Sequence, residues 1–266
     1  MKLFIAGQGV RRETLFSFRK KNQDLGREIA FLHSYLEIKN GSHEILTRNL
    51  SPANYFLDSG AFTAFTQGKV IDLDHYIETI KNIPDIKNYA ALDVIGDYKA
   101  TAKNLSYMES KGLSPIPAFH FGSPKKELLT LLDNYEYIAL GGLVPHAASR
   151  EKLQAWLDYC FSIITKRQLR KVHLFGMNSL WTWKRYPIYS ADATSWVTGS
   201  KFRRIVEFDE KNFQMITHSK GKESRRSPQV FEGFWEELNL YNIMEYQKAA
   251  DTTTRLWEKR GIVWED

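Results

Sequence analysis

Short apolar runs alternate along the chain with longer segments in which apolar residues recur at helical spacing. The longer segments include residues 72–83, whose three isoleucines share one stripe, and residues 149–169, which Ser149 is placed to cap. This alternation is typical of a parallel sheet whose strands are joined by crossover helices. The predicted strands are residues 2–6, 54–58, 88–94, 114–119, 136–140, 171–175, 187–191 and 202–208.

Eight strands and a length of 266 residues fit one (β/α)8 barrel, a fold that typically needs about 250 residues. Hydrophobic residues make up 43% of the chain and charged residues 26%, the balance of a globular protein. No interior linker or repeat is evident. We therefore expect an α/β protein, a single TIM-like (β/α)8 barrel domain over residues 1–266 that is irregular at its C-terminal end.

Polar residues and glycines gather where the predicted strands end. Asp58, Asp93 and Asp192 stand at or directly after three of the strands, and His120 follows a fourth. The C-terminal strand ends of a barrel converge on one mouth, where active sites are built. Each residue alone also fits a structural role, such as a helix cap or a hydrogen-bonding partner. Desolvating three carboxylates in one mouth nevertheless costs free energy, and structural roles alone do not explain that cost. The set therefore indicates a ligand site.

The chain lacks the marks of an exported or membrane protein. A run of only four apolar residues precedes Gly7, too short for a signal peptide, and no run approaches the ~20 residues that span a bilayer. We expect a cytoplasmic protein, in the host cytoplasm if it is phage-encoded, with no membrane partner. Cys160 is the single cysteine, which excludes an intrachain disulfide and a multi-cysteine zinc site. We expect Cys160 to be a small buried side chain.

The net charge of +6 is concentrated in basic clusters at residues 166–171, 201–204 and 219–226. Such clusters suit a polyanionic partner, of which a nucleic acid is one kind. Any one of the clusters fits equally well as a solvated surface.

Three short motifs resemble those of the tRNA-guanine transglycosylases. DSGAF at 58–62 resembles their DSGG motif with its following Phe or Tyr, ALGGLV at 139–144 resembles their GGL segment, and HLFGM at 173–177 resembles their YLMG segment. The motifs occur in the same order, and the resemblance covers about residues 54–196. It implies base exchange on a nucleic acid through a covalent intermediate, following the logic of retaining glycosidases.

The resemblance also implies a role for each matching residue. Asp192 falls where the family has its nucleophile, Asp58 where it has the general acid/base, and Asp93 where an aspartate accepts hydrogen bonds from the guanine edge. Phe62 and Phe175 match positions that sandwich the purine ring, and His120 stands in place of a glutamine. The full set implied to bind the base is Asp93, Phe62, His120, Gly141, Gly142, Leu143, Phe175 and Gly176.

Two departures from the tRNA enzymes favour DNA as the substrate. One cysteine cannot build their zinc site, and the chain is shorter, so it looks like the compact phage and bacterial enzymes that place 7-deazaguanines into DNA. We expect exchange of guanine for a preQ0-like base in flipped or single-stranded DNA, with the free base as co-substrate and no zinc, other metal or redox cofactor. The residues expected to contact phosphates are Lys201, Arg203, Arg204, Lys220, Lys222, Arg225 and Arg226.

Several alternatives remain open at the level of sequence. Trp181, Trp183 and Trp196 are candidates for base stacking, although tryptophans are more often structural. Base exchange could be directed at tRNA, or an unrelated barrel enzyme could hold a small phosphorylated substrate at residues 198–204. A non-catalytic DNA-binding barrel is a further reading, but three mouth aspartates would repel phosphates without compensating chemistry.

Overall fold

The structure, a computed structural model, describes residues 1–7, 29–38, 51–166, 169–219 and 235–264. Within these ranges the main sheet has eight parallel strands in the order β4-β3-β2-β1-β8-β7-β6-β5. The strands are β1 Lys2–Ala6, β2 Ala30–Ser34, β3 Tyr55–Asp58, β4 Asn88–Tyr89, β5 Ala118–His120, β6 Tyr137–Gly141, β7 Lys171–Leu174 and β8 Ser190–Ala193.

A parallel bridge between Ala90 and Ile116 joins the two edges of this sheet. Ala91 N donates to Ile116 O at 2.9 Å, and Ile116 N donates to Tyr89 O at 2.8 Å. Because the bridge pairs the segment after β4 with the segment before β5, the sheet closes on itself. The predicted (β/α)8 TIM-like class is therefore confirmed.

Helices follow most of the strands. They are α1 Tyr35–Ile38, α2 Ala61–Thr66, α3 Leu73–Lys81, α4 Tyr98–Ser110, α5 Lys125–Asn134, α6 Arg150–Ile164, α7 Leu180–Arg185, α8 Thr198–Phe202 and α9 Trp235–Glu258. The helices predicted from residues 72–83 and 149–169 correspond to α3 and α6. Ser149 accepts a hydrogen bond from Lys152 N at 3.4 Å, which confirms its predicted capping position. No helix in the described ranges combines the length and apolar character that crossing a bilayer requires.

One predicted barrel strand is wrong. Residues 202–208 do not enter the barrel: β9 Arg204–Asp209 pairs antiparallel with β10 Gln214–Ser219 in a separate two-stranded sheet. Side chains of α9 occupy backbone donors of β9, since Val206 N donates to Asn242 Oδ1 at 2.8 Å and Phe208 N to Glu245 Oε2 at 2.9 Å. The eighth barrel strand is instead β2, a short stretch that the apolar pattern did not single out.

The remaining strand predictions differ from the structure mainly at their ends. The stretch 88–94 supplies only Asn88–Tyr89 and the bridging Ala90, and the stretch 114–119 becomes regular only at Ala118. The strand predicted at 187–191 runs from Ser190 to Ala193. Asp192 therefore lies within its strand rather than after it.

Side-chain alternation along the strands fills the barrel interior and sets the level of the mouth. The interior cluster is Phe4, Ala6, Ala30, Leu32, Phe56, Ala90, Ile116, Ala118 and Ala139. Residues two positions further along a strand lie on the same face, one layer closer to the C-terminal end. Asp58 follows Phe56 in this way, and His120 follows Ala118. The interior packing therefore delivers these polar side chains to the mouth.

Two of the tryptophans proposed for base stacking are structural instead. Trp183 and Trp196 are buried, with 0% and 1% of their surface exposed. Trp183 Nε1 donates to Met177 O at 3.2 Å, and Trp196 Nε1 donates to Ala6 O at 2.9 Å. Trp181 is only partly buried, with the Arg150 guanidinium 5.0 Å from its ring centre. Large indoles bury area that a core needs, which explains this outcome. Cys160 is also buried, as expected, and burial raises the pKa of its thiol to about 12.

We expect Trp196→Phe to destabilise the protein by about 1–3 kcal/mol, because it removes a buried donor from the Ala6 carbonyl at the end of β1. Chemical denaturation of the variant against wild type measures this loss. Trp181→Phe is the matched control and should cost less, since that indole is partly exposed. Equal losses for the two variants would show that the bond from Trp196 to Ala6 contributes nothing specific.

Candidate active site at the barrel mouth

A cavity of about 720 Å³ opens at the C-terminal ends of the barrel strands. Its volume lies in the range of small-molecule sites. All ten residues that the sequence implied for catalysis or base binding line it: Asp58, Phe62, Asp93, His120, Gly141, Gly142, Leu143, Phe175, Gly176 and Asp192. The structure thus brings the predicted residues together, while their chemical roles remain predictions.

Asp192 is held on β8 with one carboxylate oxygen engaged. Its Oδ1 accepts a hydrogen bond from Gly176 N at 2.6 Å and lies 3.4 Å from His173 Nε2. Gly176 has a φ of +64°, and a Cβ at this position would lie 2.5 Å from Val144 Cγ2. Only glycine fits the turn that aims this N–H at the carboxylate. Among the described residues, none donates to Asp192 Oδ2, so this oxygen is left for a ligand.

Asp58 lies at the end of β3, where the chain turns into α2. Its Oδ2 accepts from Gly60 N at 3.0 Å, and Gly60 has a φ of +75°. The pKa of Asp58 is raised to about 7, chiefly by burial; the Gly60 N–H opposes this rise, and the charges of Asp192, Asp93 and Glu37 add to it. A carboxyl group that titrates near neutral pH can both donate and accept a proton.

Asp93 and His120 form a pair inside the cavity. His120 Nε2 lies 3.1 Å from Asp93 Oδ2, and the two side chains are 15% and 11% exposed. Burial opposes protonation of His120, but the charge of Asp93 and its hydrogen bond outweigh burial and raise the pKa of His120. Asp93 Oδ1 is buried and has no hydrogen-bond partner among the described residues. An orphaned buried acceptor beside a cavity indicates a ligand that donates to it.

Gly141 on β6 and Gly142 after it, both implied to bind the base, have different local roles. A Cβ on Gly141 would lie 2.9 Å from His120 Cδ2, so the missing side chain at 141 makes room for the imidazole. Gly142 has a φ of +68° and turns the chain toward Leu143, whose side chain is buried in the core. His120 therefore fills part of the space that the missing side chain at 141 leaves beside the cavity.

The two phenylalanines implied to sandwich a purine differ in their surroundings. Phe62 on α2 is 45% exposed at the edge of the cavity. Phe175 is partly buried, with its ring edge-on to Phe56 at 5.8 Å and to His173 at 4.5 Å. Phe175 therefore belongs both to the interior packing and to the cavity wall.

Sequence reasoning missed two residues of the site, Glu37 and the buried His173 next to Asp192. Glu37 on α1 lines the cavity, accepts from Ser34 N at 3.2 Å, and has its pKa raised by burial. A strand prediction at residues 30–34 would have marked it as another strand-end carboxylate. His173 lies on β7 and is fully buried. Its position two residues before Phe175 in HLFGM was the available signal.

Charge is divided between the cavity and its rim. None of the described residues that line the cavity is a lysine or arginine. Lys201, Arg203 and Arg204 lie exposed on α8 and the start of β9, in the segment that follows β8. The Arg204 guanidinium sits 5.3 Å from the ring centre of Phe202, which is 60% exposed. The other predicted phosphate contacts lie outside the described residues: Lys220, Lys222, Arg225 and Arg226.

The described residues contain no cluster of three or more His, Cys, Asp or Glu side chains arranged to hold a metal ion. The cavity carboxylates are instead engaged by backbone N–H groups and by histidine.

Comparison with known proteins identifies the fold and nothing finer. No protein-family model matches the chain, and no curated protein matches it. A solved structure that carries the provisional description fructose-1,6-biphosphate aldolase, from Coccidioides immitis, superposes with a TM-score of 0.51 at 8% sequence identity. The match covers 98% of this chain and 92% of that one. The chain is therefore similar to a TIM-barrel protein over its whole length.

We expect Asp58→Asn to stabilise the protein at pH 8 and to have little effect at pH 4. The folded-state pKa of Asp58 is raised, so the unfolded chain loses this proton first as pH rises, and wild type loses stability between about pH 4 and 7. A neutral amide avoids that loss, which is on the order of a few kcal/mol. Melting curves across this pH range measure it.

Asp133→Asn, an exposed change on α5, is the control and should show no comparable gain that grows with pH. A stability difference for Asp58→Asn that is constant with pH would contradict a raised pKa at this site.

Proposed function

We propose that this chain is an enzyme, a nucleic-acid guanine transglycosylase that replaces guanine in DNA with a 7-deazaguanine through a covalent aspartyl intermediate. The observation that carries the proposal is the convergence of Asp58, Asp93 and Asp192 in one cavity, each in a different environment. Family resemblance in three ordered motifs selects the reaction class. The geometry of the cavity supports it because each aspartate has one oxygen that accepts no hydrogen bond from the described residues and is available to a ligand.

Asp192 supplies the nucleophile. Its Oδ1 is held by the Gly176 N–H, which leaves Oδ2 to attack C1′ of the target nucleotide. The new bond forms as the bond between C1′ and N9 of guanine breaks, giving a glycosyl ester on Asp192. No external oxidant or reductant enters this exchange.

Asp58 manages the proton in both half-reactions. With a pKa of about 7 it carries a proton in a large fraction of molecules at neutral pH and gives it to the departing guanine. The resulting carboxylate then takes the N9 proton of the incoming 7-deazaguanine as that nitrogen attacks C1′. Asp192 is released, and Asp58 is protonated again for the next cycle.

Asp93 and His120 recognise the base. Asp93 Oδ1, buried without a described partner, accepts from the N1–H and exocyclic amine edge of guanine. Adenine lacks this pair of donors, so it would leave the carboxylate unsatisfied at a cost of a few kcal/mol. His120 fixes the other Asp93 oxygen, at 3.1 Å, and so sets the angle of the carboxylate.

The charge distribution favours this reading over a small phosphorylated substrate. The structurally similar protein is named for a sugar bisphosphate, and a phosphate group in this cavity would face Asp58, Asp93, Asp192 and Glu37 with no described lysine or arginine to balance it. A neutral base fits such a cavity. The phosphates of a DNA strand would instead lie outside, toward the exposed Lys201, Arg203 and Arg204.

We expect Asp192→Asn to reduce base exchange to below a tenth of the wild-type rate while DNA binding stays near wild type, because an amide cannot attack C1′. Single-stranded DNA is incubated with enzyme and candidate 7-deazaguanines, and its nucleosides are analysed by mass spectrometry. A denaturing gel should show a covalent protein–DNA adduct for wild type only.

Asp133→Asn on the outer helix α5 is the matched control and should exchange bases as wild type does. Exchange by Asp192→Asn above a tenth of the wild-type rate would remove Asp192 from the nucleophile role. Wild-type incorporation into tRNA but not into DNA would redirect the proposal to tRNA.

We expect the triple variant Lys201→Gln, Arg203→Gln, Arg204→Gln to bind DNA with a weaker dependence on salt. Each lost contact to a single strand should lower the log–log slope by about 0.7. Affinity for the free base should not change, because these side chains lie outside the cavity. Lys259→Gln, an exposed change beyond α9 near the opposite end of the barrel, serves as the control. A slope equal to wild type would place the DNA path elsewhere on the rim.

A further inference from the structure

A chain of three polar side chains runs through the barrel interior behind Asp192. Tyr137 Oη lies 2.6 Å from Ser190 Oγ, and Ser190 Oγ lies 2.7 Å from His173 Nδ1. The other ring nitrogen, His173 Nε2, lies 3.4 Å from Asp192 Oδ1. Ser190 and His173 are fully buried. Burying polar groups in a barrel interior costs free energy. A connected row of them that ends at the Asp192 carboxylate therefore indicates a functional role.

The position of the His173 ring is set by packing. It stacks on Phe56 at 4.9 Å with an interplanar angle of 29°, and it meets Phe4 and Phe175 edge-on at 6.0 and 4.5 Å. Rings on several sides restrict rotation of the imidazole about its side-chain bonds. The direction in which Nε2 points is therefore a property of the folded barrel.

Assigning a donor and an acceptor to each contact in this row favours one tautomer of His173. If the Tyr137 hydroxyl donates to Ser190 Oγ, the Ser190 hydroxyl donates to His173 Nδ1, and Nε2 carries the remaining hydrogen toward Asp192. The reverse order would turn the bare Nε2 lone pair toward the Asp192 carboxylate and leave the hydroxyl hydrogen of the partly buried Tyr137 without an acceptor among these three side chains. Only the first order turns a donor toward the Asp192 carboxylate, and at 3.4 Å His173 Nε2 does not yet form a hydrogen bond with it in this structure.

We infer that His173 is a positioning residue that donates from Nε2 to Asp192 Oδ1. Together with the Gly176 N–H, it binds this oxygen from within the protein and leaves Oδ2 turned to the cavity. The inference rests on the proposed function, in which Asp192 is the attacking group and the row of Tyr137, Ser190 and His173 orients it. Its 3.4 Å contact is long for a hydrogen bond, and we expect it to shorten as substrate occupies the cavity.

Kinetics of three variants test the role. His173→Phe keeps an aromatic ring in the packing but removes the donor, and it should lower kcat on the order of 100-fold with little change in KM for DNA or free base. His173→Gln restores an amide donor and should recover part of that loss. Ser190→Ala frees the tautomer of His173 and should fall between wild type and His173→Phe.

His33→Phe is the matched control, because His33 is also a buried histidine on a barrel strand, β2, stacked between Phe31 and Tyr55, but it does not line the cavity. It should leave kcat unchanged. Each variant is first shown to be folded by its melting curve. A folded His173→Phe variant that keeps kcat within about threefold of wild type would show that His173 does not position Asp192. Misplacing a catalytic group causes a much larger loss. The proposed function would then stand without this positioning role.

The tautomer is tested without any assay of base exchange. Long-range ¹H–¹⁵N spectra of the histidine side chains should show His173 as the Nε2–H form, with its signals assigned by their absence in His173→Phe. Asp192→Asn should shift the Nε2 resonance. An Nδ1–H form would overturn the inference whatever the kinetics show. If wild type exchanges no base, the proposed function fails, and these spectra still decide whether His173 donates toward Asp192.

Discussion

Two backbone hydrogen bonds at Ile116 close the sheet, and the candidate site depends on that closure. In an open sheet the ends of β3 and β8 would point apart. In the closed barrel they converge, so Asp58 and Asp192 lie close enough for the charge of one to raise the pKa of the other. Converging parallel strands bring together the side chains at their C-terminal ends, which is why active sites lie at the mouth in this fold.

Convergence of like charges has a free-energy cost, and the structure gives each aspartate a different way of bearing it. Asp192 is held by a backbone N–H beside His173, and Asp93 is paired with His120. Asp58 has a single backbone donor and responds with a raised pKa. Carboxylates whose environments differ can divide the labour of nucleophile, acid and recognition element within one site.

The same division extends from the cavity to its rim. Described residues around the cavity bring carboxylates and aromatic rings, whereas cationic side chains lie exposed after β8. A flipped nucleotide has the same arrangement, with an uncharged base at one end and phosphates at the other. Under the proposed function, a base buried in the cavity and phosphates held at the rim would place their opposite charge requirements on different surfaces.

The sequence by itself determined the alternation of strands and helices, the identity of the strand-end aspartates, and the role of Ser149 as a helix cap, because these depend on periodicity and on neighbours a few residues away. Tertiary structure decided what depends on distant partners. The apolar pattern marked residues 202–208 as a barrel strand and passed over Ala30–Ser34, and only pairing with β1 and β3 places the second in the barrel. Contacts across the barrel likewise showed that Gly141 makes room for an imidazole and that His173 faces Asp192. A local pattern specifies which face a side chain takes, but the group it meets there lies on a strand remote in sequence.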